Sequence, residues 1–200
     1  MAQTADRIRA ALAESIRVKQ ATADECADAI ASAADRLIAS FERGGKLLCF
    51  GNGGSASDAQ HIASEFVGRY VDDRPALPAI ALPANSSETT AIGNDYGFDH
   101  TFVRGIEAHA RPGDVALAFS TSGNSGNVLA AVDSARERGV ETIGLLGKGG
   151  GKLAGVVDCA IVVPSDDTPR IQEAHIAIGH LFCELVEAAL FDEGESSGSS

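Results

Sequence analysis

Apolar side chains recur along the chain with two distinct periods. Ile8, Leu12 and Ile16 stand four apart, which predicts one apolar stripe on a helix over 4–20 with Thr4 as its cap. Thr22 and Glu25 have capping-box spacing and open a second predicted helix. Its Ile30, Leu37, Ile38 and Phe41 fall at i, i+7, i+8 and i+11 before Gly44-Gly45 ends the run. Both stripes are narrow, so each fits against a neighbouring subunit as well as against a sheet.

From residue 46 onward short apolar runs alternate with helical patterns. Strands are predicted at 46–50, 79–82, 114–119, 141–146 and 159–163. Helices are predicted at 56–67, 87–93, 99–109, 126–138 and from about 169 to 191, with 147–151 as a flexible glycine-rich connection. Strands separated by helices imply a parallel sheet covered on both faces, where ligands bind beyond the carboxyl ends of the strands. Residues 1–193 therefore read as one domain, with helices over 1–44 and an α/β core over 46–193. The polar, glycine- and serine-rich stretch 194–200 reads as a disordered tail.

Composition narrows the partners. The chain has 200 residues, 44% hydrophobic and 22% charged, with a net charge of −12 and no cluster of Lys and Arg, so direct binding to nucleic acid is disfavoured. No secretory signal and no apolar run of membrane-spanning length is read, and the four cysteines form no C-x-x-C pair. These features point to a cytoplasmic protein with reduced, buried thiols.

Three stretches carry chemistry. Gly51-Asn52-Gly53-Gly54-Ser55 joins a strand to a helix, a place where close backbone approach and free N–H groups attract an anion. Gly51, Gly53 and Ala56 fit G-x-G-x-x-A, yet the second strand is followed by Pro83-Ala84-Asn85 rather than by an acidic residue, so a dinucleotide is not supported; no Walker loop is present either. Ser120-Thr121-Ser122-Gly123-Asn124-Ser125 also opens a helix. Its hydroxyls at Ser120, Thr121, Ser122 and Ser125 suit a phosphate, although one of them alone would serve as an ordinary cap.

The third stretch is spread over two helices. His61 and Glu65 lie about 40° apart on one helical face, while Gln172 and His180 on the last helix are about 80° apart and about 12 Å along the axis. Imidazole, carboxylate and amide oxygen are metal ligands. In isolation His61 and Glu65 also read as a solvated pair, and His180 among Ile176, Ile178 and Leu181 as a core histidine. Gln172 and His180 share one site only if the helix start is irregular or another subunit supplies one of them.

Taken together, the glycine loop, Asp58-Ala59-Gln60-His61 with Glu65, Arg74-Pro75, Gly93-Asn94-Asp95-Tyr96-Gly97, the serine loop, and Arg170-Ile171-Gln172-Glu173 with His175 and His180 resemble the phosphoheptose isomerases. These are sugar-isomerase (SIS) domain proteins. The resemblance implies a three-layer α-β-α sandwich with a parallel five-stranded, flavodoxin-like sheet, a homotetramer, and active sites near subunit interfaces. It implies conversion of sedoheptulose 7-phosphate to D-glycero-D-manno-heptose 7-phosphate, the first step of activated heptose biosynthesis. One zinc per subunit would sit at His61, Glu65, Gln172 and His180. Glu65 would act as base and His180 as partner acid in an enediol mechanism. Asn52, Gly53, Gly54, Ser55, Asn94 and Asp95 would hold the hydroxylated chain, together with Glu65 and Gln172, and Ser120, Thr121, Ser122 and Ser125 the phosphate. Thr168-Pro169 departs from the family, where an Asp often precedes the Arg-Ile-Gln run; Asp166 and Asp167 are the nearest carboxylates. A non-catalytic relative that binds a replication initiator, or an isomerase or sensor of another phosphosugar, are the rival functions.

Overall fold

The computed structural model describes residues 2–82 and 84–191. The predicted tail over 194–200 lies outside the described residues.

Five parallel strands, β1 (Leu47–Gly51), β2 (Ala79–Leu82), β3 (Val115–Ser120), β4 (Glu141–Leu146) and β5 (Cys159–Val162), form one sheet in the order β2-β1-β3-β4-β5. Side chains alternate between its faces as the pleat requires. Leu47, Cys49, Val115, Leu117 and Phe119 enter one core beneath α1 (Ala2–Glu42), α2 (Gly54–Val67) and α6 (Thr168–Phe191). Leu48, Phe50, Ala116 and Ala118 enter the other, beneath α4 (Val103–His109) and α5 (Gly126–Glu137). Helices on both faces make this the three-layer, doubly wound sandwich expected from the alternation. A short α3 (Ser86–Asp95) follows β2 and buries no residue.

The N-terminal region departs from expectation. It is one helix of 41 residues rather than two, and Thr4 and Thr22 both lie inside it. The Thr22 hydroxyl donates to the Val18 carbonyl at 2.8 Å, one turn back. A threonine so placed satisfies itself within a continuous helix, and no glycine or proline interrupts 2–42 to make it a cap. The two stripes have different fates. Ile30, Leu37 and Phe41 are buried against the sheet and α6, whereas Ile8, Leu12 and Ile16 are 56%, 60% and 69% exposed.

The predicted helix 99–109 is a 3-10 turn at Phe98–His100 followed by α4. The stretch 147–151 is no loose connection: Gly150 is buried and Leu153 N–H donates to the Gly123 carbonyl at 3.0 Å, so it packs against the serine loop. The last helix begins with Thr168 inside it, since Ile171 N–H donates to the Asp167 carbonyl at 2.9 Å, which places Asp167 at the capping position.

Among the described residues α6 alone is long and apolar enough to cross a membrane, with a mean hydropathy of 1.4, contrary to the expectation that no such run exists. Its apolar residues Ile171, Ile178, Phe182 and Val186 are buried among α1, α2 and the sheet, and it carries buried His175 and Glu187. A core helix covered on several sides acquires this composition without a bilayer.

Candidate active site

The glycine and serine loops meet where the strand order reverses. β1 ends at Gly51, opposite Phe119 of β3, so the glycine loop 51–55 and the serine loop 120–125 leave adjacent strand ends. In a doubly wound sheet this switch point is the crevice where ligands bind. Gly53, with φ of 60°, turns the chain from β1 into α2 in a left-handed conformation that favours glycine. The serine loop is organised by its own hydroxyls: Ser120 Oγ accepts the Gly123 N–H at 3.1 Å, and Ser122 Oγ accepts the Asn124 N–H at 3.2 Å. Both hydroxyl protons remain available to a ligand. Ser125 precedes α5 without capping it through its side chain, which leaves the first N–H groups of that helix free for an anion.

Behind this loop Gly123, with φ of 64°, presses on the backbone of Gly150. Any Cβ there would collide with the Gly150 carbonyl, so two glycine stretches build one wall.

α2 and α6 run side by side in the same direction and deliver the titratable groups. Gly179 lets them approach, since a Cβ there would collide with the buried Ile62 side chain. One residue on, His180 Nε2 stands 3.0 Å from His61 Nε2, and His61 Nε2 stands 3.2 Å from Glu65 Oε1. His61, Glu65 and His180 form a group able to hold a metal ion, their nearest donor atoms all within 4.8 Å of one another. Such spacing matches the edge of a tetrahedral zinc site, roughly 3.3 Å for Zn–N bonds of about 2.0 Å. The donor set therefore fits the metal that the resemblance implies.

Gln172 is not at this cluster within the chain. Its amide lies against Gly54 at the start of α2, seven residues and about 10 Å of helix before His61. α6 is helical from Thr168 onward, so an irregular helix start does not bring Gln172 to His180. Asn94 and Asp95 bond to each other at 2.8 Å at the end of α3, and Asp95 lines a 250 Å³ cavity with Tyr96, Arg104 and His109. Neither makes a hydrogen bond to the two loops.

Sequence reasoning missed several groups around the site. Asn127, buried at the start of α5, exchanges two hydrogen bonds with Asn52. The Tyr70 ring lies 5.5 Å from that of His180. Buried Arg74 donates to the Glu65 and Phe66 carbonyls at 2.9 and 2.8 Å, closing the end of α2, and its Nε donates to Glu187 at 2.8 Å. Burial raises the Glu187 carboxyl. The N–H groups of Tyr70, Val71 and Asp72 and the Arg74 guanidinium outweigh that and hold it below the usual carboxylate range. Asp58, one turn before His61, has a buried carboxylate oxygen without a partner, and burial pushes its pKa up to about 6 against the opposing pull of His61. Arg74-Pro75 and Asp58 were visible as motif letters, but nothing in their spacing announced these bonds.

The SIS domain family matches residues 12–147 of the chain. The chain is 60% identical over 166 residues to the phosphoheptose isomerase of Rhodospirillum rubrum, covering 83% of this chain and 88% of that one. It is 53% identical over 188 residues to the phosphoheptose isomerase of Citrifermentans bemidjiense, covering 94% and 98%. The solved structure of the phosphoheptose isomerase from Neisseria gonorrhoeae superposes with a TM-score of 0.88 at 43% identity, covering 92% of this chain and 99% of that one. Fold and loops thus define a SIS-domain isomerase. Within that class the chain belongs to the phosphoheptose isomerase family.

Proposed function

We infer that the chain converts sedoheptulose 7-phosphate to D-glycero-D-manno-heptose 7-phosphate, an internal ketose–aldose isomerisation that opens a route to activated heptose. The observation that carries this reading is the convergence of Glu65, His61 and His180 on two helices, one of which starts at the glycine loop beside the serine loop. Moving a proton between adjacent carbons through an enediol requires a base at carbon, an acid at oxygen and relief of developing negative charge.

In this reading Glu65 takes the proton from carbon and His180 delivers one to oxygen. The serine loop, through Ser120, Thr121, Ser122, Ser125 and the start of α5, anchors the phosphate away from the reacting carbons. Binding energy gained there holds the chain in register for proton transfer. Asn52, Gly53, Gly54 and Ser55 embrace the hydroxylated carbons, with Asn94, Asp95 and Gln172 as further contacts. His61, Glu65 and His180 would hold one zinc ion loosely enough that Glu65 and His180 are released to act as base and acid during turnover, and Gln172 of a second copy would complete the set. A zinc ion held by these residues would supply Lewis-acid stabilisation of negative charge developing on the substrate oxygen.

We further assign a homotetramer, supported by the uncovered Ile8, Leu12 and Ile16 and by the seating of the Gln172 amide against Gly54 within one chain. A cytoplasmic location is supported by Cys26, Cys49, Cys159 and Cys183, all buried free thiols that burial pushes above their ordinary pKa.

Turnover of sedoheptulose 7-phosphate by the purified chain, followed by separation of the isomers, tests the reading. Glu65→Gln is expected to lower kcat by at least about 100-fold while leaving the oligomer intact. Equal, negligible activity of wild type and variant on several phosphosugars with zinc supplied would sink the enzyme assignment. Elemental analysis is expected to find zinc in wild type and little in His61→Ala; equal zinc contents would remove His61 from the ligand set.

A further inference from the structure

Asn52 and Asn127 face each other across the gap between the two ligand loops. Asn52 Nδ2 donates to Asn127 Oδ1 at 2.8 Å, and Asn127 Nδ2 donates to Asn52 Oδ1 at 2.9 Å. The Asn127 amide also reaches Thr101 Oγ1 at 3.3 Å. Asn127 and Thr101 are each 2% exposed, while Asn52 is half-buried.

A primary amide has two N–H donors and one oxygen. On Asn127 both donors and the oxygen are spent, which is what a buried amide needs. On Asn52 the oxygen and one donor are spent, and the second N–H has no partner among the described residues. The pair thus fixes the plane of the Asn52 amide and leaves it one unspent donor.

The placement of the pair gives it a further consequence. Asn52 follows β1 in the glycine loop, and Asn127 is the second residue of α5, directly after the serine loop. The reciprocal bonds therefore set the span between the place where the carbon chain is held and the place where the phosphate is held. A substrate anchored at one end reacts at the other only if that span is kept to within about 1 Å.

We propose that Asn127 is a positioning residue of the isomerase, fixing through Asn52 the orientation and distance of the glycine loop relative to the phosphate anchor. The proposal rests on the reading that these two loops hold the two ends of the substrate.

A double-mutant cycle on the full chain with zinc supplied tests it, because an Asn127 that acts through Asn52 loses its effect once the Asn52 side chain is gone. Asn127→Ala removes both donors and the oxygen without placing a charge beside the phosphate anchor. It is expected to lower kcat/KM for sedoheptulose 7-phosphate by tenfold or more, with inhibition by inorganic phosphate changed less than twofold. In the Asn52→Ala background the same substitution is expected to cost less than threefold. Thr101→Val, which removes the bond from Asn127 together with the Thr101 hydroxyl's own bond to the Phe98 carbonyl, serves as a second entry to the cycle if Asn127→Ala does not fold, with a smaller loss whose Asn52-dependent part disappears in Asn52→Ala. An active wild type with a loss below twofold, losses that multiply across the cycle, or a parallel fall in phosphate inhibition would overturn the positioning role alone. An inactive wild type would overturn the functional reading together with it.

Discussion

His175 is sealed beneath the sheet ends, with Nε2–H donating to the Leu146 carbonyl at 3.1 Å and Nδ1 buried without a partner. Burial pushes its pKa down to about 4, only partly opposed by that hydrogen bond. The folded protein therefore favours the neutral ring. Stability from this group is complete above the unfolded value near 6.5 and is lost as pH falls toward 4. Between pH 7.5 and 5 the loss amounts to about 2 kcal/mol. Asp58 acts in the other sense, since a carboxyl raised in the folded state destabilises as pH rises through the range up to about 6. The two are separated by comparing wild type with His175→Gln in urea at both pH values. The variant is expected to show a pH-dependent loss smaller by about 2 kcal/mol; equal pH dependence would show that His175 is not held neutral.

At the scale of elements, the site depends on how closely α6 lies on α2. Gly179 sits mid-helix, where alanine would ordinarily stabilise by about 1 kcal/mol through helix propensity. Here a Cβ would press on the side chain of Ile62, which is fully buried and can shift only against the surrounding core. Overpacking of this kind costs about 1–3 kcal/mol, so the packing term outweighs propensity. Gly179→Ala is therefore expected to lower stability, and to lower kcat more than KM because it parts His180 from His61. A more stable, fully active variant would show that the helices are not held at contact distance. Arg74 and Glu187 secure the opposite end of the same pair, tying the last turn of α2 and the backbone of 70–72 to α6.

For the whole molecule, the projecting half of α1 is the feature that a single chain does not account for. Three large apolar side chains on one stripe stand in water, while the continuation of the helix is buried. A second copy laid along Ile8, Leu12 and Ile16 would cover them, in keeping with the proposed tetramer. Replacing all three with Glu is expected to reduce the mass seen by light scattering, while changing the unfolding free energy of the separated chain by no more than about 0.5 kcal/mol per site, as for other surface positions. Activity is expected to fall with the mass, since Gln172 would then have no partner cluster. Unchanged mass would leave the stripe without a role in assembly.

The sequence by itself determined the alternation of strand and helix, the two faces of the sheet and the two loops that open α2 and α5. These follow from local periodicity and from glycine and serine at chain turns, which one segment expresses without its neighbours. It also determined that His61 and Glu65 share a helical face, because a spacing of four residues does so in any helix. What the tertiary structure decided lies between segments. Thr22 became an interior residue because the helix around it continues, and the glycine stretch 147–151 became a wall because Gly123 leaves room for its backbone. His180 met His61 and Gln172 met Gly54 only because Gly179 lets two parallel helices touch, and Asn127 found Asn52 only because β1 and β3 are neighbours in the sheet. Contacts of that kind depend on which surfaces are brought together, and no spacing along one chain segment encodes them.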